Sequence, residues 1–257
     1  MHDFDVLMSN TPYVLATKKN YSIATFPGMP NIYHKDFDIT EFIGEELAKV
    51  RGVNSVHYFP VLFDNIENCL NIDEFFDKAS VIRVGSYDFK EKGVHYVIGC
   101  KLPFYEEFNA FDMLLDMCPS DKNREELLNE ILECYGLDIF SGQMDRPANI
   151  YYEFHPNGEV HLSKIFDYEF SLDENFCDYY ITDFHIFRTI DDYQKFMIFY
   201  PKLEEILRSY LDVDLEYVIK KIALSRKLDI SGIDLDKYRR FNEITHKKLE
   251  KILRWFT

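Results

Sequence analysis

A short stretch near the middle of the 257-residue chain constrains the fold most, because a charged loop is followed there by a strong hairpin signal. Residues 142–149 read Gly-Gln-Met-Asp-Arg-Pro-Ala-Asn, and His-Pro-Asn-Gly follows at residues 155–158. Proline presets φ, and Asn and Gly tolerate positive φ, so the second sequence predicts a tight turn. The flanking residues 150–154 and 159–165 are rich in aromatic and branched side chains, as strands are. We therefore expect an antiparallel hairpin.

The register of this hairpin decides which polar side chains meet at its open end. We predict Phe154 opposite Glu159, which brings Asp145, Asn149 and Asp167 to the same end of the hairpin. Carboxylate and amide oxygens are ligands for hard cations such as Mg2+. The sequence therefore predicts a divalent-metal site there, and the alternative interpretation is a surface turn beside a plain hairpin.

The segment resembles the catalytic segment of HipA-like serine/threonine kinases, including the smaller CtkA-like ones. Their pattern is roughly N-x-D-R-H-x-x-N, then a hairpin, then Phe/Tyr-Asp, and this chain has Q-M-D-R-P-A-N, a hairpin and Phe166-Asp167. The resemblance implies that Asp145 is the catalytic base and that Asn149 and Asp167 hold Mg2+ on the phosphates of ATP. It also implies a bacterial source. Phosphoinositide kinases use a related loop, so the segment leaves protein and lipid substrates open.

Three departures from that pattern bear on activity. Gln143 stands where the family has Asn, Pro147 stands where it has His, and the gap from Asp145 to Asn149 is one residue shorter. A shorter gap redirects the side chain of Asn149 unless the backbone tightens, which Pro147 favours.

Residues 1–102 read mainly as strands with one helix, which fits a β-rich N-lobe that covers a nucleotide. The helix is predicted from a capping box at Asp38 and Glu41 to about Arg51, where Gly52 ends it. The predicted strands are residues 13–17, 21–26, 55–62, 81–88 and 94–101.

Residues 103–257 read mostly as helices around the hairpin, which fits a C-lobe. The predicted helices are residues 106–117, 124–134, 201–211, 215–227 and 235–256, with apolar residues three and four apart. We therefore expect an α+β, two-lobed, protein-kinase-like fold with lobes 1–102 and 103–257.

The resemblance also implies a strand lysine that meets the phosphates of ATP and a helix glutamate that pairs with it. Glu41 matches the family's helix best, and Glu46, which lies inside the apolar stripe of the helix, is the alternative. Thr25 stands about where the family has the lysine, so Lys18 or Lys19 is expected to substitute unless both are solvated turn residues.

A predicted strand ends at Lys101-Leu102, where a proline follows and cannot continue the ladder. The resemblance implies that this hinge, Lys101 and Leu102, offers backbone groups to adenine. The sequence has no Gly-rich loop of the G-x-G-x-x-G type before this point.

Composition limits the partners and the compartment. The formal net charge of −16 argues against a nucleic-acid partner, since such binding comes mostly from Lys and Arg on phosphates, but a metal-compensated ATP site stays possible. Five cysteines without a C-x-x-C pair are expected to be free thiols in a reducing cytoplasm. No secretory signal or bilayer-length apolar run occurs, so we expect a cytoplasmic protein without a membrane partner.

Three functions stay open at this point. The first is an ATP- and Mg2+-dependent phosphotransferase acting on Ser or Thr of a protein, or on itself. The second is a catalytically silent kinase-fold module that binds nucleotide or a regulatory partner, favoured by the missing lysine, the missing Gly-rich loop and the shorter gap. The third is an unrelated acidic α+β interaction protein whose hairpin matches the kinase pattern by chance.

Overall fold

A computed structural model describes residues 14–17, 22–25, 31–62, 82–105, 107, 109–143, 145–168, 171–173 and 190–254. The strands of this part are β1 (Val14–Thr17), β2 (Ser22–Thr25), β3 (Ile32–Asp36), β4 (Tyr58–Leu62), β5 (Ile82–Tyr87), β6 (His95–Ile98), β7 (Tyr151–Phe154) and β8 (Val160–Leu162). The helices are α1 (Ile39–Arg51), α2 (Ala110–Asp116), α3 (Asp121–Ser141), α4 (Ile190–Ser209), α5 (Leu215–Arg226) and α6 (Leu235–Arg254).

Five strands form an antiparallel sheet in the order β1-β2-β3-β5-β4, and α1 follows directly on β3. The sequence did not predict β3, although it is the middle strand and pairs with both β2 and β5. Ile32 of β3 is buried in the core, and Lys35 lies opposite Val84 of β5.

Helix α1 has the predicted bounds. The Asp38 side chain caps it by accepting the Thr40 N–H at 2.8 Å, and Gly52 ends it in the left-handed conformation with φ 72°. The predicted capping box is only half formed, because the Glu41 carboxylate turns into the protein instead of back to the helix start.

A second sheet contains β6, β7 and β8, and its hairpin has a different register from the predicted one. Phe154 lies opposite Val160, not Glu159, so the predicted register is wrong by one residue. The reason is a three-residue loop: the His155 N–H donates to the Glu159 carbonyl at 2.9 Å, and Gly158 closes the loop with φ 89°.

Strand β6 pairs with β7 in the second sheet, so the chain crosses from the first sheet to the second within residues 88–94. The strand predicted at residues 94–101 ends at Ile98, and Gly99–Lys101 forms a 3-10 turn. Gly99 permits a close approach to the loop before β7, since its N–H donates to the Ile150 carbonyl and a Cβ there would lie 3.0 Å from the Pro147 carbonyl oxygen. The lobe boundary at residue 102 stays a prediction.

Helices α2 to α6 share one hydrophobic core with α1 and the β7–β8 hairpin. Helix α3 extends beyond the helix predicted at residues 124–134 in both directions, and the Ser120 side chain caps it by accepting the Asn123 N–H. Gly136, inside α3, leaves room for Ile206 of α4. Among the described helices, none has the length and apolarity that a bilayer crossing needs.

Candidate active site

Three charged side chains from three separate elements meet at the turn that follows β8. The Lys35 ammonium, on β3, donates to Asp167 Oδ1 at 2.7 Å and forms an ion pair with the Glu41 carboxylate of α1. Glu41 is fully buried, whereas 19% of the Lys35 side chain and 36% of the Asp167 side chain are exposed. The cluster is therefore closed on the helix side and open to solvent at Lys35 and Asp167.

Sequence reasoning missed Lys35. It placed the phosphate-binding lysine at Lys18 or Lys19, which lie outside the described residues. The signal that identifies Lys35 is its place in an Ile-Tyr-His-Lys-Asp run with strand propensity, directly before the capped helix that carries Glu41.

Glu41 uses both carboxylate oxygens on different parts of the molecule. One oxygen pairs with Lys35, and the other accepts the Tyr168 N–H at 3.1 Å. Gly44 lies against the Tyr168 ring, where a Cβ would come within 2.2 Å of a ring carbon, so α1 contacts the turn directly. Glu46, the alternative to Glu41, lies away from this cluster and pairs with Lys221 of α5.

Burial and charge act in opposite directions on this pair. Burial, together with the neighbouring Asp167 carboxylate, raises the pKa of Glu41 to about 7 against the lowering effect of the Lys35 ammonium. Burial acts to lower the pKa of Lys35, but Glu41 and Asp167 outweigh it, so this pKa lies above its usual value of 10.5. Lys35 is therefore a permanent cation at neutral pH.

The Asp167 backbone is held on both sides. Asp167 has φ 58°, its N–H donates to the Tyr58 hydroxyl at 2.9 Å, and its carbonyl accepts from Gln143 Nε2 at 2.8 Å. The same Gln143 side chain accepts the Asp145 N–H at 3.1 Å. Gln143, one of the departures from the family pattern, therefore joins the loop of Asp145 to the turn of Asp167.

The loop from Asp145 to Asn149 contains a 3-10 turn, Arg146–Ala148, with Pro147 at its start. This tighter backbone brings the two side chains together despite the shorter gap, and Asn149 Nδ2 donates to Asp145 Oδ2 at 3.4 Å. Asp145 is exposed and Asn149 is buried. The donation leaves the amide oxygen of Asn149 as the atom suited to a metal.

Arg146 fixes the loop from inside. Its guanidinium contacts the Asp138 carboxylate of α3 at 2.9 to 3.1 Å and donates to the carbonyls of Asn149 at 3.3 Å and Phe166 at 3.1 Å. It also lies over the Tyr168 ring, 5.4 Å from the centroid. One buried cation therefore sets the relative positions of α3, the loop and the turn.

Partly exposed aromatic rings lie beside the acidic residues. The rings of Tyr151 and Phe166 stack at 5.5 Å, and Phe166 directly precedes Asp167. Phe89, in the segment that crosses between the sheets, lies 5.9 Å from Phe166, and Lys90 Nζ lies 4.3 Å from the Tyr151 centroid. The rings form an apolar surface next to the charged cluster.

Lys101 and Leu102 lie at the end of the 3-10 turn Gly99–Lys101. The Leu102 N–H donates to the Gly99 carbonyl at 3.2 Å, and the Leu102 side chain lines a cavity of about 20 Å³ together with Pro147 and Tyr152. Lys101 is exposed. Within the described residues, no hydrogen bond or ion pair joins either of them to the acidic side chains of the site.

The oxygen ligands near the Asp167 turn fit a Mg2+ ion that is shared with a bound substrate. No group of three or more His, Cys, Asp or Glu side chains in the described part of the chain is placed to hold a metal ion. Asp145, Asn149 and Asp167 offer two carboxylates and an amide. Mg2+ commonly takes one or two carboxylates and completes its shell with waters and substrate phosphates, so these residues fit Mg2+ that arrives with a nucleotide.

Comparisons with known proteins show the fold. No protein-family model and no curated protein sequence matches the chain. The chain is similar to the HipA structure in the Shewanella oneidensis MR-1 toxin–antitoxin complex of HipA, HipB and operator DNA, with 14% identity and a TM-score of 0.57 over 95% of this chain and 66% of that chain. The chain thus spans just under two thirds of that relative.

Two weaker similarities concern the Helicobacter pylori proinflammatory kinase CtkA and the Golgi casein kinase with Mn/ADP bound. The first has 13% identity and a TM-score of 0.45 over 94% of this chain and 97% of that chain. The second has 12% identity and a TM-score of 0.48 over 95% and 71%. Together with the strand order, the similarity to HipA confirms the predicted α+β, two-lobed, kinase-like fold.

Proposed function

We propose that this chain is a kinase-type phosphotransferase that uses ATP and Mg2+ and acts on Ser or Thr of a protein, or on itself. The cluster of Lys35, Glu41 and Asp167 is the observation that carries the proposal. Kinases require a strand lysine paired with a helix glutamate and an aspartate that binds the metal on the phosphates. This chain brings those three residue types together from a strand, a helix and a turn.

Each residue has a distinct role in this proposal. Lys35 contacts the phosphates, and Glu41 holds its ammonium in place. Asn149 and Asp167 are the Mg2+ ligands, and bound Mg2+ would supply neutralisation of the phosphate charge. Asp145, exposed and bonded to Asn149, orients the substrate hydroxyl and accepts its proton.

The aromatic surface of Tyr151 and Phe166 is the best-supported place for the adenine ring. Stacking of a base on an aromatic side chain is worth about 1–3 kcal/mol, and both rings are partly exposed beside Asp167. We accordingly infer that residues 88–94, not Lys101 and Leu102, form the hinge. The crossing between the two sheets supports this position.

A catalytically silent module is the alternative, and two of its supports are now weaker. Lys35 supplies the missing cation, and the 3-10 turn brings Asn149 to Asp145 despite the shorter gap. The absence of a Gly-rich loop is its remaining support. The operator DNA belongs to the HipA structure. For this chain, the net charge of −16 argues against a nucleic-acid partner, so we propose a protein substrate. We also propose that the protein acts in the cytoplasm.

Three variants and one control test the phosphotransferase. Mg2+ with ATP should raise the melting temperature of the wild type, and Asp167→Ala should abolish that shift. Asp145→Ala should keep the shift and lose transfer of the γ-phosphate from labelled ATP to the protein or a test substrate. Lys35→Met should lower transfer about 10²–10³-fold, the usual loss for one preorganised donor.

Lys122→Met is the matched control, because Lys122 pairs with Glu126 on the exposed side of α3. It should leave both the thermal shift and the transfer at wild-type values. Undiminished transfer in Asp145→Ala and Asp167→Ala, or a wild type that neither binds nor transfers with any divalent metal, contradicts the proposal. Binding without transfer in the wild type establishes the silent module.

A further inference from the structure

The turn that carries Asp167 needs external support. A positive φ is uncommon outside glycine and persists where surrounding groups fix the backbone. Both polar backbone groups of Asp167 have side-chain partners, the Tyr58 hydroxyl on the N–H side and Gln143 on the carbonyl side. Gln143 comes from the loop beside the turn, whereas Tyr58 comes from β4 of the other sheet.

Tyr58 is itself held at both backbone groups. Its N–H donates to Glu45 Oε2 of α1 at 3.0 Å, and its carbonyl accepts from the Arg226 guanidinium of α5. Glu45 and Arg226 pair with each other at 2.8 Å, and the Tyr58 ring meets the Tyr168 ring edge to face. The Tyr58 hydroxyl therefore contacts Asp167 from a residue whose backbone is fixed by Glu45 and Arg226.

The hydroxyl keeps its proton under physiological conditions. Burial, followed by the neighbouring Glu41 carboxylate, raises the pKa of Tyr58 well above its usual value of 10. A protonated hydroxyl accepts the Asp167 N–H without adding a third negative charge to those of Glu41 and Asp167.

We propose that Tyr58 is a positioning residue whose hydroxyl holds the Asp167 backbone and thereby aims the Asp167 carboxylate at Lys35 and at the divalent ion. Glu45 and Arg226 act on the site through Tyr58. The part that concerns the metal rests on the proposed function, whereas the part that concerns the backbone does not. Removal of the hydroxyl leaves the Asp167 N–H without its partner and frees the turn.

The first test needs neither metal nor nucleotide. Hydrogen–deuterium exchange of the peptide that contains Asp167 is compared between the wild type and Tyr58→Phe, which keeps the ring. Exchange at this peptide should become about tenfold faster, the effect of one net hydrogen bond. Tyr210→Phe is the matched control, since Tyr210 is also buried and its hydroxyl has no hydrogen-bond partner among the described residues. Unchanged exchange in Tyr58→Phe overturns the proposal.

The second test uses the reaction. Tyr58→Phe should raise the Mg2+ concentration for half-maximal transfer about tenfold, as loss of an outer-shell partner does, and Tyr210→Phe should not change it. Arg226→Lys, which weakens the contacts that fix the Tyr58 backbone, should raise this Mg2+ concentration by a smaller factor. If Tyr58→Phe equals the wild type while the wild type transfers phosphate, this inference fails and the proposed function stands. If the wild type transfers none, the proposed function fails, and the metal role of Tyr58 fails with it.

Discussion

Two clusters of charged side chains flank the Asp167 turn, and they differ in their access to solvent. The Arg146–Asp138 pair is buried, with 2% and 6% of the side chains exposed, and the Arg146 guanidinium donates to a carboxylate and two carbonyls. The Lys35–Glu41–Asp167 cluster is sealed only at Glu41. The Arg146–Asp138 pair is therefore closed to solvent, whereas Lys35 and Asp167 are accessible to a ligand.

The difference separates the residues that hold the site from those that act in it. A buried ion pair is weak evidence for net stability, but removal of one partner leaves an uncompensated charge and is strongly destabilising. An open cluster instead tolerates the exchange of one partner for a ligand, because solvent screens the residue that is released. We therefore expect mutations in the sealed pair to unfold the protein and mutations in the open cluster to inactivate it.

The largest expected effect is that of Arg146→Met. It leaves the Asp138 carboxylate buried without a cation and should lower the free energy of unfolding by about 3–5 kcal/mol, measured by urea denaturation. Lys35→Met is the comparison. Lys35→Met should lower the free energy of unfolding by less, because Glu41, whose pKa is already raised to about 7, can take up a proton. Equal losses in the two variants would remove the distinction between the clusters.

The next effect is the pH dependence of stability, which should have opposite signs at two glutamates of α1. Burial acts to raise the pKa of Glu45, but His57, Arg226, the Tyr58 N–H and Lys49 outweigh it and lower this pKa from 4.5 to about 2. Glu45 therefore contributes up to about 3 kcal/mol that is present above pH 4.5 and is lost as the pH falls towards 2.

Glu41 should behave in the reverse way. Its raised pKa gives a contribution that is complete below pH 4.5 and is lost as the pH rises through about 7. The free energy of unfolding of Glu45→Gln and Glu41→Gln, measured from pH 2.5 to 8, should therefore differ from that of the wild type in separate pH windows. A constant difference at every pH, for either variant, would contradict the assignment.

The smallest effect is expected from Glu46→Gln. Glu46 pairs with Lys49 and Lys221, both largely exposed, and such surface pairs contribute less than about 1 kcal/mol. This variant should keep wild-type transfer, whereas Glu41→Gln should lose most of it. Loss of transfer in Glu46→Gln would instead identify Glu46, not Glu41, as the helix carboxylate that acts in the site.

Local signals in the sequence predicted the elements that local interactions stabilise. Asp38 and Gly52 gave the bounds of α1, because a cap and a left-handed residue act within one helical turn. The predicted element boundaries failed where residues distant in the sequence pack against the element. The helix predicted to end at residue 134 continues to Ser141 in α3, where Gly136 lies against Ile206 of α4.

The candidate site divides in the same way. Asp145, Asn149 and Asp167 could be picked from their positions around one hairpin, and their roles stay predictions. Lys35 carries only the signal of a strand-like run before the capped helix, because its partner Asp167 is 132 residues away and no short-range pattern joins them. The hairpin register was missed because the turn tetrapeptide permits several loop lengths, and the left-handed Gly158 selects one of them.

The two oxygens of Glu41 have a consequence for the behaviour of the whole site. One pairs with the Lys35 ammonium of the five-stranded sheet, and the other accepts the Tyr168 N–H, which directly follows Asp167. Rotation of α1 about its axis must withdraw both oxygens together, so strand and turn are released in a single step. In the proposed phosphotransferase, Lys35 and the Asp167 turn would therefore reach their places together, and the orientation of one helix would govern both.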